Sequence, residues 1–403
     1  MTQGRSRQVI VAGGGIAGLT AALAFARRGF AVQLYERAPR LDEVGAGLQL
    51  SPNATRLLRE LGVLDTLLAV AIRPDAVTLR DARSLAVLAR VKFGDFAERR
   101  WGAPYLVAHR ADLQSALLAR ASREPDITIV TRASVCDFAV HAKGVTASID
   151  RDGKVVEALG RLLVGADGVW SRLRNLAGEK GKSHFSGSIA WRATVRAQGQ
   201  AGEILGRITD AKSVSVFIRP SFHLIVYPLR GGETLNLVAV TRGRSLGESW
   251  SGQADAALLS KAVSGSAKEI RELVETVTGW TVWPIHTVAF DAWTVGGSFA
   301  LIGDAAHAMT PFAAQGAAMA IEDAVTLADT MATAPADATD ALATWAAKRR
   351  ARISRVVRRG ALNRLAWHAS GPVALARNVF LKTRSPEQLA ADLDWLYGWA
   401  PTT

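Results

Sequence analysis

Residues 9–36 read VIVAGGGIAGLTAALAFARRGFAVQLYE, and the order of their parts restricts the fold more than any other stretch. The apolar run 9–12 predicts a buried parallel strand, which enters the glycine cluster at 13–18. A helix pattern follows with Leu19, Leu23 and Ala26 on one face; Gly29 ends it, and residues 32–35 predict a second strand with Glu36 at its carboxyl end. Gly13 permits the tight turn, Gly15 lets a pyrophosphate approach the backbone, and Gly18 lets helix and strand pack closely, while the helix N-terminus faces the phosphates. Glu36 is placed to accept from a ribose hydroxyl. A purely structural glycine turn is the alternative. Strand, glycines, helix, strand and acid arriving in this order point instead to dinucleotide binding.

The 403 residues suffice for two domains or one large interwoven one, and a hydrophobic content of 49% supports a sizeable core. No apolar run approaches the ~20 residues of a membrane helix. The opening MTQGRSRQV leads almost at once into a strand, so no secretory signal is expected and a cytoplasmic location is. The lone Cys136 excludes an internal disulfide and a redox dithiol pair. The formal charge is +13, and Lys348 opens an Arg-rich block that runs to Arg359. Such a block suits nucleic acid or a membrane surface, or it is a solvated helix face with Ile353, Val356 and Val357 turned inward. Aromatic residues are not interleaved with it, so the helix face is preferred. No nucleic-acid partner and no stable membrane insertion are expected, and the chain is expected to be a monomer or a homodimer. A basic surface also attracts an anionic cofactor and a carboxylate substrate.

Along the chain, residues 53–68 are helix-patterned, 76–91 read as short strands, 111–121 as a helix and 127–149 as strands punctuated by Gly144. Residues 162–168 form an apolar strand ending in a turn. From about 188 to 288 the style changes to an antiparallel sheet: strands at 190–195, 213–219, 223–228 and 234–241, a hairpin turn at Gly231-Gly232, and helices within 254–276. An α/β style resumes at 299–304, and the chain is mostly helical from 340.

Two further motifs occupy residues 165–174 (GADGVWSRLR) and 303–311 (GDAAHAMTP), the latter continued by Gln315-Gly316-Ala317-Ala318 and Glu322-Asp323. Together with the opening fingerprint, the chain resembles the class A flavoprotein monooxygenases, the single-component aromatic hydroxylases, and most of all their salicylate, 3-hydroxybenzoate and 6-hydroxynicotinate hydroxylase branch. Shorter matches at 45–54, 109–113 and 394–397 extend the resemblance over nearly the whole chain. It implies a Rossmann-like α/β FAD domain of the para-hydroxybenzoate hydroxylase type (1–75, 106–180, 291–345), an inserted antiparallel-sheet substrate domain (76–105, 181–290) and a C-terminal helical segment (346–403). It implies non-covalent FAD, NADH or NADPH docking transiently as co-substrate, and O2. The family's chemistry passes through a flavin C4a-hydroperoxide and hydroxylates a phenolic aromatic acid or hydroxypyridine. The rivals are an FAD dehydrogenase or oxidase without oxygen insertion, and a non-catalytic flavin-binding sensor.

The resemblance assigns cofactor contacts to Gly13, Gly15, Ile16, Ala17, Gly18, Glu36, Arg37, Gly47, Leu48, Arg110, Val135, Asp167, Asp304, Gly316, Ala317 and Ala318. Asp304, ending an apolar strand, would meet a ribityl hydroxyl; the alternative is a turn-forming or capping Asp. Gln315-Gly316-Ala317-Ala318 opens a helix whose N–H groups would stabilise charge on the reduced flavin. The family usually has glycine before this Gln, where this chain has Ala314. His307 belongs to the shared motif and is read as structural. Nothing has metal-ligand spacing. Substrate handling then falls to the inserted sheet. His223 and Tyr227, four apart, share one strand face, and in the related enzymes such a pair contacts the substrate phenol, with the His as general base. An ordinary buried His and Tyr is the alternative. Gln49, Trp191, Met309 and Pro311 are expected pocket walls. Arg192 would suit a carboxylate, but alternation sets it opposite Trp191, and which of the two faces inward stays open.

Overall fold

The computed structural model describes residues 7–41, 47–178, 183–244, 252–253, 256–289 and 291–401. Gly45 and Ala46 of the match at 45–54, and the start of the helical stretch at 254–255, lie outside them. The strand Gln8–Ala12 is flanked in parallel by Leu162–Gly165 and Ala31–Tyr35. The sheet continues to Ile127–Val130 on one side and to Phe299–Leu301 on the other, where Thr294–Val295 adds an antiparallel edge. These strands are continuous apolar runs because both faces are covered, as parallel sheets require. The crossover helix Ile16–Ala26 is buried along almost all its length and packs against the helix Gly316–Thr333.

The glycine cluster does steric work here. Gly13 has φ of +110°, and a methyl on it would lie 2.4 Å from the Ala166 carbonyl oxygen. A methyl on Gly18 would lie 1.8 Å from the Gly13 carbonyl oxygen, so helix and strand approach backbone to backbone.

A second sheet has eight strands. Its order is Gly252–Gln253, Thr281–Val288, Ser183–Arg196, Thr234–Arg242, Phe222–Leu229, Ser213–Arg219, Ala76–Asp81 and Val87–Lys92. It is antiparallel except where Ser213–Arg219 meets Ala76–Asp81. The helices Gln200–Ile208, Ala256–Val263 and Lys268–Thr276 cover one face, packing on Ile189, Trp191, Phe217, Phe222, Leu224 and Val226. The other face looks onto the parallel-sheet unit. The strip Gly47–Leu50 paired with Leu106–His109 lies between them.

Three expectations need correction. The helix at 53–68 is two, Pro52–Glu60 and Leu64–Leu68, broken where Gly62 adopts φ of +70°. The helix Gln200–Ile208 and the strand Thr281–Val288 stand where none was named. From Arg349 onward, the inward residues of the helix Thr339–Trp367 are Arg349, Ile353, Val356 and Gly360, a spacing of four, three and four. Val357 is turned out and 46% exposed, and Arg349 takes an inward place because two buried carboxylates meet it.

Candidate active site

A cleft of about 520 Å³ opens at the carboxyl ends of the parallel strands, the position expected for a ligand in an open α/β sheet. One end is built by Gly13, Gly15, Ile16, Ala17, Glu36, Arg37, Val135 and Asp167. The middle is built by Gly47, Leu48, Arg110, Asp304, Gly316 and Ala317. The far end is built by Gln49, Met309, Pro311 and the large sheet's Arg192, Ile225, Tyr227 and Val238. Two of the expected cofactor residues do not line it: Gly18 is spent on the contact with Gly13, and Ala318 is buried in the core beneath the helix start.

At the first end, the Glu36 carboxylate accepts from the Gly14 N–H at 2.6 Å and the Ala38 N–H at 2.8 Å, which fixes it at the strand end. Asp167 accepts from Ser171 Oγ at 2.6 Å and the Leu173 N–H at 3.1 Å, so it organises the turn into the helix Arg172–Ala177. Asp304 differs. Its carboxylate is exposed in the cleft and makes no hydrogen bond among the described residues. The backbone beside it is held from behind, since the Gly303 N–H donates to Asp323 at 3.0 Å.

Asp323 is the centre of a buried network. It takes the Arg349 Nε at 2.7 Å and the His307 Nε2 at 2.5 Å. Glu322 beside it receives Arg349, Arg352 and the Asn53 amide, each near 2.8 Å. Gln315, which precedes the helix Gly316–Thr333, bonds Ser51 Oγ at 2.9 Å and Asn53 at 3.3 Å. Burial alone would raise the Asp323 pKa, but His307, Arg349 and the Gly303 N–H outweigh it and hold it at about 2. The loop before Gln315 turns through Ala314 at φ of +51°, the left-handed region that the family's glycine adopts freely.

At the far end the alternation of the strand Phe222–Leu229 is decisive. His223, Ile225 and Tyr227 share the face toward the parallel-sheet unit, while Phe222, Leu224 and Val226 pack on the helices behind. Ile225 and Tyr227 line the cleft; His223 does not. Its ring is buried against Phe312 and Trp367, and its Nδ1 lies 3.0 Å from His368 Nε2. Burial and the neighbouring His368 pull the His223 pKa down; burial with Arg364 and Arg242 pulls His368 down to about 4. The pair is therefore uncharged at neutral pH and shares one hydrogen. Four residues of extended strand span about 13 Å, enough to seat the two side chains in different surroundings. Trp191 is the second correction. It faces the helices behind the sheet, with its Nε1 donating to Thr241 Oγ1 at 2.9 Å, so the open alternation resolves with Arg192 inward. Ile225 and Val238 were missed, though the same alternation pointed to them. Gln49 is oriented by Tyr105, whose hydroxyl donates at 2.5 Å. Among the described residues no cluster of His, Cys, Asp and Glu is able to hold a metal, and no helix is long and apolar enough to cross a membrane.

Residues 6–360 match the FAD-binding domain family. The chain is 33% identical over 394 residues to 3-hydroxybenzoate 6-hydroxylase of Polaromonas naphthalenivorans (strain CJ2), covering 97% of this chain and 96% of that one. The chain belongs to the FAD-dependent aromatic monooxygenases. It is also 33% identical over 337 residues to 6-hydroxynicotinate 3-monooxygenase of Bordetella bronchiseptica (strain ATCC BAA-588 / NCTC 13252 / RB50), covering 81% of this chain and 82% of that one. Its fold matches a salicylate hydroxylase substrate complex with a TM-score of 0.80 at 24% identity, covering 98% and 95% of the two chains. FAD is thus the cofactor of this flavoprotein monooxygenase, and O2 and NADH or NADPH are its co-substrates. The residues present fit FAD. Gly15 and Gly316 front the cleft with nothing within 4 Å of where a methyl would stand, and the exposed Asp304 carboxylate between them makes no hydrogen bond among the described residues.

Proposed function

We propose that this monooxygenase hydroxylates a small phenolic acid or hydroxypyridine at the sheet end of the cleft. The observation that carries this is the cleft's division. Its glycine-lined end and Asp304 suit a dinucleotide, and its other end is closed by an apolar floor of Ile225 and Val238 with Tyr227 beside them. In this reading Gly13, Gly15, Glu36, Arg37 and Val135 hold the adenosine and pyrophosphate, Asp304 takes a ribityl hydroxyl, and Gly316 and Ala317 present N–H groups to the flavin ring. FAD, when bound, supplies the oxygen-transfer chemistry; the protein supplies orientation and a dry, shaped wall.

Tyr227 is the residue assigned to the substrate's ring oxygen. Burial pushes its pKa up although Arg192 acts the other way, so it stays a phenol and donates a hydrogen bond. Met309 and Pro311 form the opposite wall, and Gln49 offers an amide held by Tyr105. His223, behind Phe312, supports the wall rather than reaching the ring. The division also supports a substrate unit built from the large sheet, including the strands Ala76–Asp81 and Val87–Lys92, and an FAD unit built from the parallel one.

The test is a panel of phenolic acids and hydroxypyridines scored for stimulated NAD(P)H oxidation, with products weighed after turnover under ¹⁸O2. One ¹⁸O atom in the product is expected. Stimulated oxidation with peroxide as the only oxygen product would favour an oxidase and overturn the assignment.

A further inference from the structure

Arg192 is a half-buried cation whose charge no carboxylate answers among the described residues. It lines the cleft, its Nε has no hydrogen-bond partner, and the groups acting on its charge are Arg110 and the phenol Tyr227, not a carboxylate. Its guanidinium lies 5.0 Å from the Trp283 ring centroid, which fixes its plane without neutralising it. Burial lowers its pKa, and Arg110 lowers it further. Holding a guanidinium there is costly unless an anion completes the site.

The sheet register says where that anion sits. Arg192 is directly opposite Val238, and Val238 is directly opposite Ile225, so the three stand side by side across three strands. Tyr227 follows two residues along from Ile225 on the same face. With ~4.8 Å between strands and ~3.3 Å per residue, the Arg192 and Tyr227 Cα atoms are about 12 Å apart. Side chains of this length, reaching inward from both ends, leave room between them for one six-membered ring over Val238 and Ile225.

Building on the hydroxylase reading above, we infer that Arg192 anchors the carboxylate of the substrate while Tyr227 holds its ring hydroxyl. The protein therefore selects aromatic acids whose acid and hydroxyl groups are not on adjacent carbons. The guanidinium fork matches a carboxylate in two parallel hydrogen bonds. An ortho-hydroxy acid brings both oxygens to one side of the ring and satisfies only one of the two anchors.

The test uses the FAD-loaded full chain and its Arg192→Gln and Arg192→Lys variants. The ligands are 3-hydroxybenzoate, its uncharged amide and salicylate. Binding is read by calorimetry and by perturbation of the flavin absorbance, and turnover separately. The parent should prefer the acid to the amide by roughly 10- to 150-fold, the range of a hydrogen bond to a charged group. Arg192→Gln should collapse that preference to near unity, and Arg192→Lys should restore part of it. Salicylate should bind at least ten-fold more weakly than the meta isomer. A parent without acid preference, an unchanged preference in Arg192→Gln, or salicylate binding as well as the meta isomer overturns the inference. So does loss of FAD from Arg192→Gln, which would assign the guanidinium to the cofactor. If Arg192→Gln does not fold, the parent's ratios and Arg192→Lys decide. If no ligand is hydroxylated, the hydroxylase reading fails, and the binding ratios still judge the anchor.

Discussion

Two polar clusters flank the helix Gly316–Thr333, and they are opposites. Behind it, both oxygens of Glu322 and both of Asp323 receive donors from Arg349, Arg352, Asn53, His307 and the Gly303 backbone. In front of it, in the cleft, the exposed Asp304 carboxylate makes no hydrogen bond among the described residues, and the buried Arg192 Nε has no partner among them. Buried polar groups in folded proteins are almost always satisfied. The fully paired carboxylates are therefore architecture, tying the C-terminal helix to the turn that presents Asp304. The unsatisfied cluster waits for ligands.

The contrast breaks most easily at Arg349. Replacing it with Ala leaves two buried carboxylates without their shared cation and should cost about 3–5 kcal/mol of unfolding free energy, read by denaturant titration. A loss below about 1 kcal/mol would mean that the cluster is not what holds the helix. Acid probes the same cluster. Asp323 is held near 2 in the fold, below its ordinary 3.8. Its contribution is complete above the unfolded value and disappears as pH falls through the folded one. Stability should therefore drop by on the order of 2 kcal/mol between pH 4 and pH 2, and Asp323→Asn should flatten that limb.

In the cleft the sign of the effect changes. Asp304→Ala should weaken FAD binding by about 1–3 kcal/mol, measured by flavin release on dialysis, and leave the stability of the FAD-free chain nearly intact. Retention of FAD equal to the parent's would remove Asp304 from the cofactor site. FAD itself should come away yellow in the supernatant after acid precipitation. The smallest effect is expected at Ala314, between the clusters. Ala314→Gly relieves a left-handed Ala and should stabilise the fold by about 0.5–1 kcal/mol, the relief exceeding glycine's entropic cost.

Much of this was legible in the sequence, for stated reasons. The run 9–36 carries its geometry in glycines, and both the positive φ of Gly13 and the close contact of Gly18 follow from the absence of a side chain. The period of two in residues 222–229 gave the shared face of His223 and Tyr227. It did not show that Phe312, Trp367 and His368, from remote segments, cover one end of that face. Likewise alternation set Trp191 against Arg192 but could not choose between them. The choice depends on the helices Gln200–Ile208 and Lys268–Thr276 supplying an apolar layer for Trp191. The Arg-rich block has the pattern of a solvated face, as charge runs usually do, whereas Arg349 and Arg352 are committed to Glu322 and Asp323, whose pairing no local pattern announces.

The most direct measurement sets Tyr227→Phe beside His223→Ala. For each, kcat/KM with the best aromatic acid and the unfolding free energy are determined on FAD-loaded protein. Tyr227→Phe should take the larger loss in kcat/KM, at least ten-fold, with FAD content unchanged. His223→Ala should take the larger loss in unfolding free energy, since it empties a buried site packed by Phe312 and Trp367. The reverse order, with hydroxylation collapsing at His223 and surviving at Tyr227, would contradict the assignment of Tyr227 to the substrate.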